Sequence, residues 1–283
     1  MVSDTPGTPN APALTPLGRW RIGALVFCGA VVLLGVGTPL GVMLHWLFTR
    51  ITARQVEYSA LTFTLNTLGL SGAVTLLSVI IALPLAALVR SSSSGINRVL
   101  TRLPLVPFAL PGIVVGLATV FFTTQFLPVL YQTLPILIIA YLLRFLPISI
   151  TATATAFREV NWRLVETAES LGATGWQVLV RLRLPLSRTG VLSGGALVFL
   201  AVMKELPIGL MLAPTGFHTL SYRIWSAYQE AIFSQIGLPG LILMVVSLLS
   251  IDLILRADPG RIRRELFFFF FFFHSSQIDR DVP

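Results

Sequence analysis

The sequence predicts an all-α polytopic membrane protein with six transmembrane helices, and three observations carry that prediction. The chain has 283 residues, is 55% hydrophobic and only 11% charged, and has a mean hydropathy of +0.84. A soluble domain of this length needs far more charge to cover its surface. Six apolar runs each reach the roughly 20 residues that a helix needs to cross the hydrocarbon core. The cations fall in short segments between those runs, which is a topology pattern rather than a nucleic-acid patch with interleaved aromatics.

Residues 1–18 are rich in Pro, Thr and Gly and predict a disordered cytoplasmic tail. No basic region leads the chain, and the apolar run after Arg21 is longer than the core of a cleavable signal, so it reads as a first span that stays. The six expected spans are Ile22–Phe48, Ala60–Val89, Leu103–Phe126, Leu134–Phe157, Val191–Ala213 and Ile236–Leu255, all within a unit covering 19–256. Residues 257–283 form a low-complexity cytoplasmic tail containing seven consecutive phenylalanines, Phe267–Phe273. That run is too short to span. It can rest at the interface beside Arg261, Arg263 and Arg264, or be an accidental terminus from a shifted reading frame, and no function is assigned to it.

Orientation follows from arginine. With the N-terminus in the cytoplasm, fifteen arginines from Arg19 to Arg280 lie inside, and only Arg50, Arg54 and Arg223 lie outside. This bias predicts two cytoplasmic termini and a cytoplasmic segment between the fourth and fifth spans. Six prolines (Pro39, Pro84, Pro107, Pro111, Pro147 and Pro207) fall in spans. Membrane helices tolerate them where neighbours satisfy the freed carbonyls. The pairs Gly37/Gly41, Gly112/Gly116 and Gly190/Gly194 permit close helix approach.

Charges inside the spans need partners, because each costs about 2.5–3.5 kcal/mol at the bilayer centre. Arg144 lies near the middle of the fourth span, and Lys204 and Glu205 lie in the fifth. A 1.5 Å rise per residue places those two about 22 Å from its cytoplasmic start. Adjacent residues do not share a helix face, so Glu205 with Arg144 is a candidate interhelical pair, and Lys204 faces another acid or the pathway. The pair either fixes helix register or lines a gate for an anionic or chelated substrate. Asp252, near the cytoplasmic end of the last span, pairs with Arg256 at the interface.

The segment between spans four and five, about 158–188, is the most informative. Its stretch ETAESLGATGWQVLVRLRLP begins at Glu166 and ends at Pro185. Glu166, Thr167, Ala168 and Glu169 open a helix with carboxylates near its positive end. Gly172 ends it in a left-handed cap. Thr174 caps a second short helix running to about Leu184, with Trp176, Leu179 and Val180 on one face, and Pro185 stops it. The product is a helix–turn–helix outside the membrane, joined rigidly to the fifth span.

At these residues the chain resembles the permease subunits of binding-protein-dependent ABC importers. Their pattern is Glu-Ala-Ala, three residues, Gly, nine residues, Ile, one residue, Leu-Pro. Glu166, Ala168, Gly172, Leu184 and Pro185 match in register, Thr167 stands for the first Ala, and Leu182 stands for Ile. The stretches ALPGIVVGLATVF, LYQTLPILIIAYLLRFLPISI and LVFLAVMKELPIGLMLAPTGFHTLSYRIW look like the second half of ferric-iron importer permeases. The resemblance covers Arg19 to Arg256, one six-span unit where those permeases usually fuse two. Thiamine, sulfate, molybdate and polyamine permeases share the loop pattern.

The resemblance implies a type I ABC importer permease fold in the prokaryotic plasma membrane, which is the inner membrane in a Gram-negative cell. It implies a coupling helix that docks on a cytoplasmic ABC ATPase dimer. Further implied partners are an extracytoplasmic solute-binding protein and a second permease unit, either a copy of this chain or one encoded separately, in a shell of membrane lipid. An ATPase elsewhere is required: the only Lys is Lys204, and no Gly-x-x-x-x-Gly-Lys precedes it. No catalytic residue, cofactor or metal site is expected. His45, His218 and His274 are scattered, and Tyr222, Tyr228 and Glu230 lack a ligand spacing. Cys28 stands alone. The alternatives are an ion-coupled secondary transporter using Arg144, Lys204 and Glu205, and an inactive fragment.

Overall fold

The computed structural model describes residues 20–52, 60–91 and 105–257. The expected terminal tails, the inside arginines Arg98 and Arg102, and the outer Arg54 lie outside the described residues. So does the side chain of Arg256, the expected partner of Asp252. Every regular element among the described residues is helical.

Helix α1 (Arg21–Val32) continues through a π-helical turn, Leu33–Gly37, into α2 (Thr38–Thr52). Then follow α3 (Ala60–Ser91), α4 (Leu105–Ala109), α5 (Gly112–Phe126) and α6 (Leu134–Glu159). The polar segment holds α7 (Trp162–Ser170) and α8 (Gly175–Val178). The remaining helices are α9 (Leu184–Lys204), α10 (Pro207–Leu212), α11 (Leu220–Gln229) and α12 (Gly237–Ala257).

Helices α3, α6 and α9 pack on one another to form the centre; α12 lies against α9, and α2 against α12. Two apolar clusters fill that centre. One gathers Leu70, Val74, Leu137, Tyr141, Phe145, Val198 and Val202. The other gathers Ala86, Phe157, Leu179 and Val191. Between the clusters each helix buries small or hydroxylic residues: Ser78 on α3, Ser149 and Thr153 on α6, and Gly194 and Gly195 on α9. A Cβ on Gly194 would sit 2.5 Å from the Ala152 Cβ, so the Gly–Ala contact sets how closely α9 approaches α6.

The expected spans need two corrections. Among the described residues, five helices are long and apolar enough to cross a membrane, at Ile22–Thr49, Ala60–Ala87, Leu134–Glu159, Gly175–Lys204 and Phe233–Asp252. The third expected span is instead divided at Leu110–Pro111, leaving the 15-residue α5. Pro111 has no N–H to continue the α4 ladder, and it disfavours the helical conformation at Leu110. The fifth expected span, Val191–Ala213, is also divided. Helix α9 ends at Lys204, Glu205 is extended (φ −73°, ψ 124°), and α10 restarts at Pro207. A proline at 207 cannot donate to the carbonyl of Met203. That carbonyl instead accepts from the Ser221 hydroxyl at 2.9 Å, so the break leaves it satisfied.

Candidate functional site

The loop between α6 and α9 begins where Asn161 caps α7, its side-chain oxygen accepting from the Arg163 N–H at 3.0 Å. An Asn before the helix satisfies an end donor that would otherwise be bare. This start lies earlier than expected: Glu166 is in the middle of α7 and Glu169 near its end, so neither carboxylate neutralises the N-terminal dipole. Both are exposed.

Helix α7 ends in a Schellman arrangement. The Gly172 N–H donates to the Glu169 carbonyl at 2.9 Å, and the Ala173 N–H donates to the Ala168 carbonyl at 3.0 Å. Gly172 takes φ +85°, which a side chain would strain, and nothing lies within 4 Å of where its Cβ would be. The requirement for glycine here is therefore conformational and not steric. Ala168 and Ala173 come together above Val160, Val165 and Val178, the apolar contact that accompanies this cap.

Thr174 opens the next helix with a reciprocal capping box. Its N–H donates to Gln177 Oε1 at 2.9 Å, and the Gln177 N–H donates to its hydroxyl at 3.4 Å. Pro185 does not stop this helix as expected. A π-helical turn, Leu179–Arg183, joins α8 to α9 without interruption, and the Leu184 N–H reaches back five residues to the Leu179 carbonyl. The wider register absorbs the proline. The buried face also differs from the expected one: Val178 and Leu179 are buried with Leu182 beside them, while Trp176 and Val180 face outward.

The seven motif positions thus divide by task. Ala168, Leu182 and Leu184 pack inward, Ala168 and Leu182 with the valines under the turn and Leu184 against the α3–α6–α9 core. Glu166, Thr167, Gly172 and Pro185 lie on the outside, and the Thr167 hydroxyl donates to the Arg163 carbonyl at 2.8 Å. Beside them stand Leu171 and Trp176, 82% and 70% exposed. Large apolar side chains this bare, on a rigidly built loop, form an exposed apolar patch.

The second candidate group lies between α6 and the end of α9. Arg144 Nε lies 3.5 Å from Glu205 Oε2, with the two side chains 18% and 10% exposed. The guanidinium also donates from Nη1 to the Leu110 carbonyl at 2.9 Å and lies 5.5 Å from the Phe145 ring centre. One residue therefore meets both helix breaks. Gly112 underlies the pair: a Cβ there would overlap Glu205 Oε1 and come 3.1 Å from Arg144 Nη1. The Tyr141 hydroxyl, one turn from Arg144, donates to the Glu205 carbonyl oxygen at 3.4 Å. Lys204 is not part of this group; it is exposed at the end of α9. No group of three or more His, Cys, Asp or Glu side chains among the described residues could hold a metal ion.

Sequence reading did not find Leu110, Gly112, Tyr141 or Ser221 in these roles. A hint for Leu110 was available, since the residue before Pro111 loses its helical place and leaves its carbonyl in need of a donor. Nothing local marks Ser221, which acts across 18 residues.

The model of the family described as "Binding-protein-dependent transport system inner membrane component" matches residues 75–264. The Fe(3+)-transport system permease protein FbpB 2 of Haemophilus influenzae is 30% identical over 223 residues, covering 78% of this chain and 44% of that protein. The trehalose transport system permease protein SugB of Mycobacterium tuberculosis is 30% identical over 152 residues, covering 53% of this chain and 54% of that protein. The chain spans about half the length of these two curated relatives. A chain of a bacterial alginate ABC transporter, solved with an alginate pentasaccharide-bound periplasmic protein, superimposes with a TM-score of 0.65. It is 18% identical, and the match covers 86% of this chain and 94% of that one. That likeness shows the fold alone. The family match runs from within α3, through both helix breaks and the capped loop, to α12, and on it this chain belongs to the binding-protein-dependent transport system inner membrane components.

Proposed function

We propose that this chain is the membrane-spanning permease subunit of an ATP-driven importer for ferric iron, lying in a prokaryotic inner membrane with both termini cytoplasmic. The observation that carries this reading is the loop. Its inward motif residues pack under the turn and against the core, its outward ones are exposed as Leu171 and Trp176 are, and its last helix runs unbroken into α9. A cytoplasmic ATPase dimer that grips this surface moves α9 directly. Nucleotide-driven closure of the dimer then shifts two permease units between inward-open and outward-open states. The second unit is a copy of this chain or a separate product. The segment from Pro214 to Gln235 meets the extracytoplasmic solute-binding protein. Ferric iron rests on the name of the FbpB 2 relative, while the SugB relative is named for trehalose. The exposure of Lys204 at the end of α9 supports a reading in which it lines the pathway for an anionic or chelated substrate.

Proteoliposomes holding the chain with its ATPase and binding protein test this. Uptake of ferric iron should require internal ATP, and Lys204→Met should lower it at unchanged complex yield. ATP-driven uptake of trehalose in place of iron would overturn the substrate and keep the class. Uptake driven by an ion gradient alone would overturn the class.

A further inference from the structure

The two helix breaks share one residue. Helices α5 and α10 each begin immediately after a break, and they pack chiefly on each other. The contact is close and runs along α5 through two small residues. A Cβ on Gly116 would lie 2.9 Å from Met211 Sδ and 3.6 Å from the Ile208 Cα, and one on Gly112 would overlap the Glu205 carboxylate. Small residues four apart allow two backbones to approach in this way. The outward side of α5, with Ile113, Leu117 and Phe121, is exposed.

Helix α6 holds the roots of both segments. Arg144 donates to the Leu110 carbonyl at the start of one and pairs with Glu205 at the start of the other. Tyr141 adds the bond to the Glu205 carbonyl oxygen. A planar guanidinium with several donors in a fixed fork can serve two acceptors at once, whereas an ammonium acts as a point charge. On the other side of α10 is a cavity lined by Leu70, Leu137, Tyr141, Gly209 and Phe217, with room for about one water. Beside this gap α10 packs into the core, with Ile208 and Leu212 buried among Leu70, Leu137 and Tyr141. Breaks of this kind are where a rigid segment turns, because the terminal residues absorb the change in φ and ψ.

We propose that Arg144 is a positioning residue that pins both helix breaks to α6, so that α5 and α10 turn about it as one body during the transport cycle. The motion rests on the ATP-driven reading above; the pinning does not. Deletion of either contact frees the root of one segment from the other, leaving only their direct packing through Gly116 to hold them in register.

Spin-label distances measured by electron paramagnetic resonance test this in lipid nanodiscs. Labels at Phe121 on α5, Leu210 on α10 and Leu143 on α6 occupy exposed positions. The complex with its ATPase is compared nucleotide-free and with ATP bound. The α5–α10 distance should stay constant, while both segments shift against α6. Arg144→Met should broaden the α5–α10 distribution. Arg144→Lys, which keeps the charge and so guards against a folding failure, should do the same to a lesser degree. A wild-type α5–α10 distance that changes as much as the distances to α6 overturns the proposal, as does a segment pair that never shifts against α6. If no ATPase co-purifies, the importer reading fails first. The pinning is then judged on the nucleotide-free chain, where a wild-type distribution in Arg144→Lys overturns it.

Discussion

Gly172→Pro is expected to abolish ATP-driven uptake while the protein still reaches the membrane in normal amount. Proline fixes φ near −65°, and Gly172 needs +85°. Proline also removes the N–H that donates to the Glu169 carbonyl at 2.9 Å. Forcing proline into such a place costs about 3 kcal/mol or more, and the loop escapes that cost by abandoning the turn. Once the turn is lost, Glu166 and Leu171 no longer stand in fixed relation to Trp176 and α9. The bundle is spared, because the Gly172 turn is exposed and outside the α3–α6–α9 core. Gly172→Asn is the control. Asparagine visits the left-handed region at modest cost, so this variant should keep most of the uptake. Uptake and membrane yield, measured on the same preparations, decide the matter: wild-type uptake by Gly172→Pro would remove the claim that this turn transmits force.

Glu205→Ala is expected to cost about 3–5 kcal/mol of stability, because it leaves the Arg144 guanidinium beside Gly112 without its counter-charge. The measurement is thermal unfolding in detergent, followed by the loss of monodisperse protein. Arg144→Met alone should be as harmful, since it strands the carboxylate and the Leu110 carbonyl together. Combining Arg144→Met with Glu205→Met should recover at least half of the loss. Apolar side chains of similar volume avoid the desolvation that the ion pair must overcome. Additive losses in the double variant would show that the two side chains do not act on each other.

Much of this architecture was legible because apolar length is a long-range signal that no single residue can spoil. The Gly172 turn and the Thr174 cap were legible for a different reason: a left-handed position and a capping hydroxyl are local requirements that few residues meet. The errors also have local causes. Apolar counting runs straight through Pro111 and Pro207, because a broken helix in a membrane keeps its hydrophobicity and loses only its hydrogen-bond register. Pro185 misled in the opposite direction. A stop signal in an ordinary helix was absorbed by a π-helical turn that composition does not announce. The face carrying Trp176 was misread because the apolar spacing of Trp176, Leu179 and Val180 passed over Val178, which packs with Val160 and Val165 under the turn and leaves Trp176 outside. The Arg144–Glu205 contact followed from the cost of lone charges in lipid. Its attachment to the Leu110 carbonyl needed the three-dimensional crossing of α4 and α6.

The central claim is that the loop from Glu166 to Pro185 is held by a cytoplasmic ATPase. A photo-crosslinking residue in place of Trp176, introduced into the intact complex during turnover, tests this most directly. The account predicts an adduct with the ATPase subunit whose yield changes between nucleotide-free and ATP-bound states. An adduct with an external protein, or no ATPase adduct in a complex that is actively transporting, would contradict it.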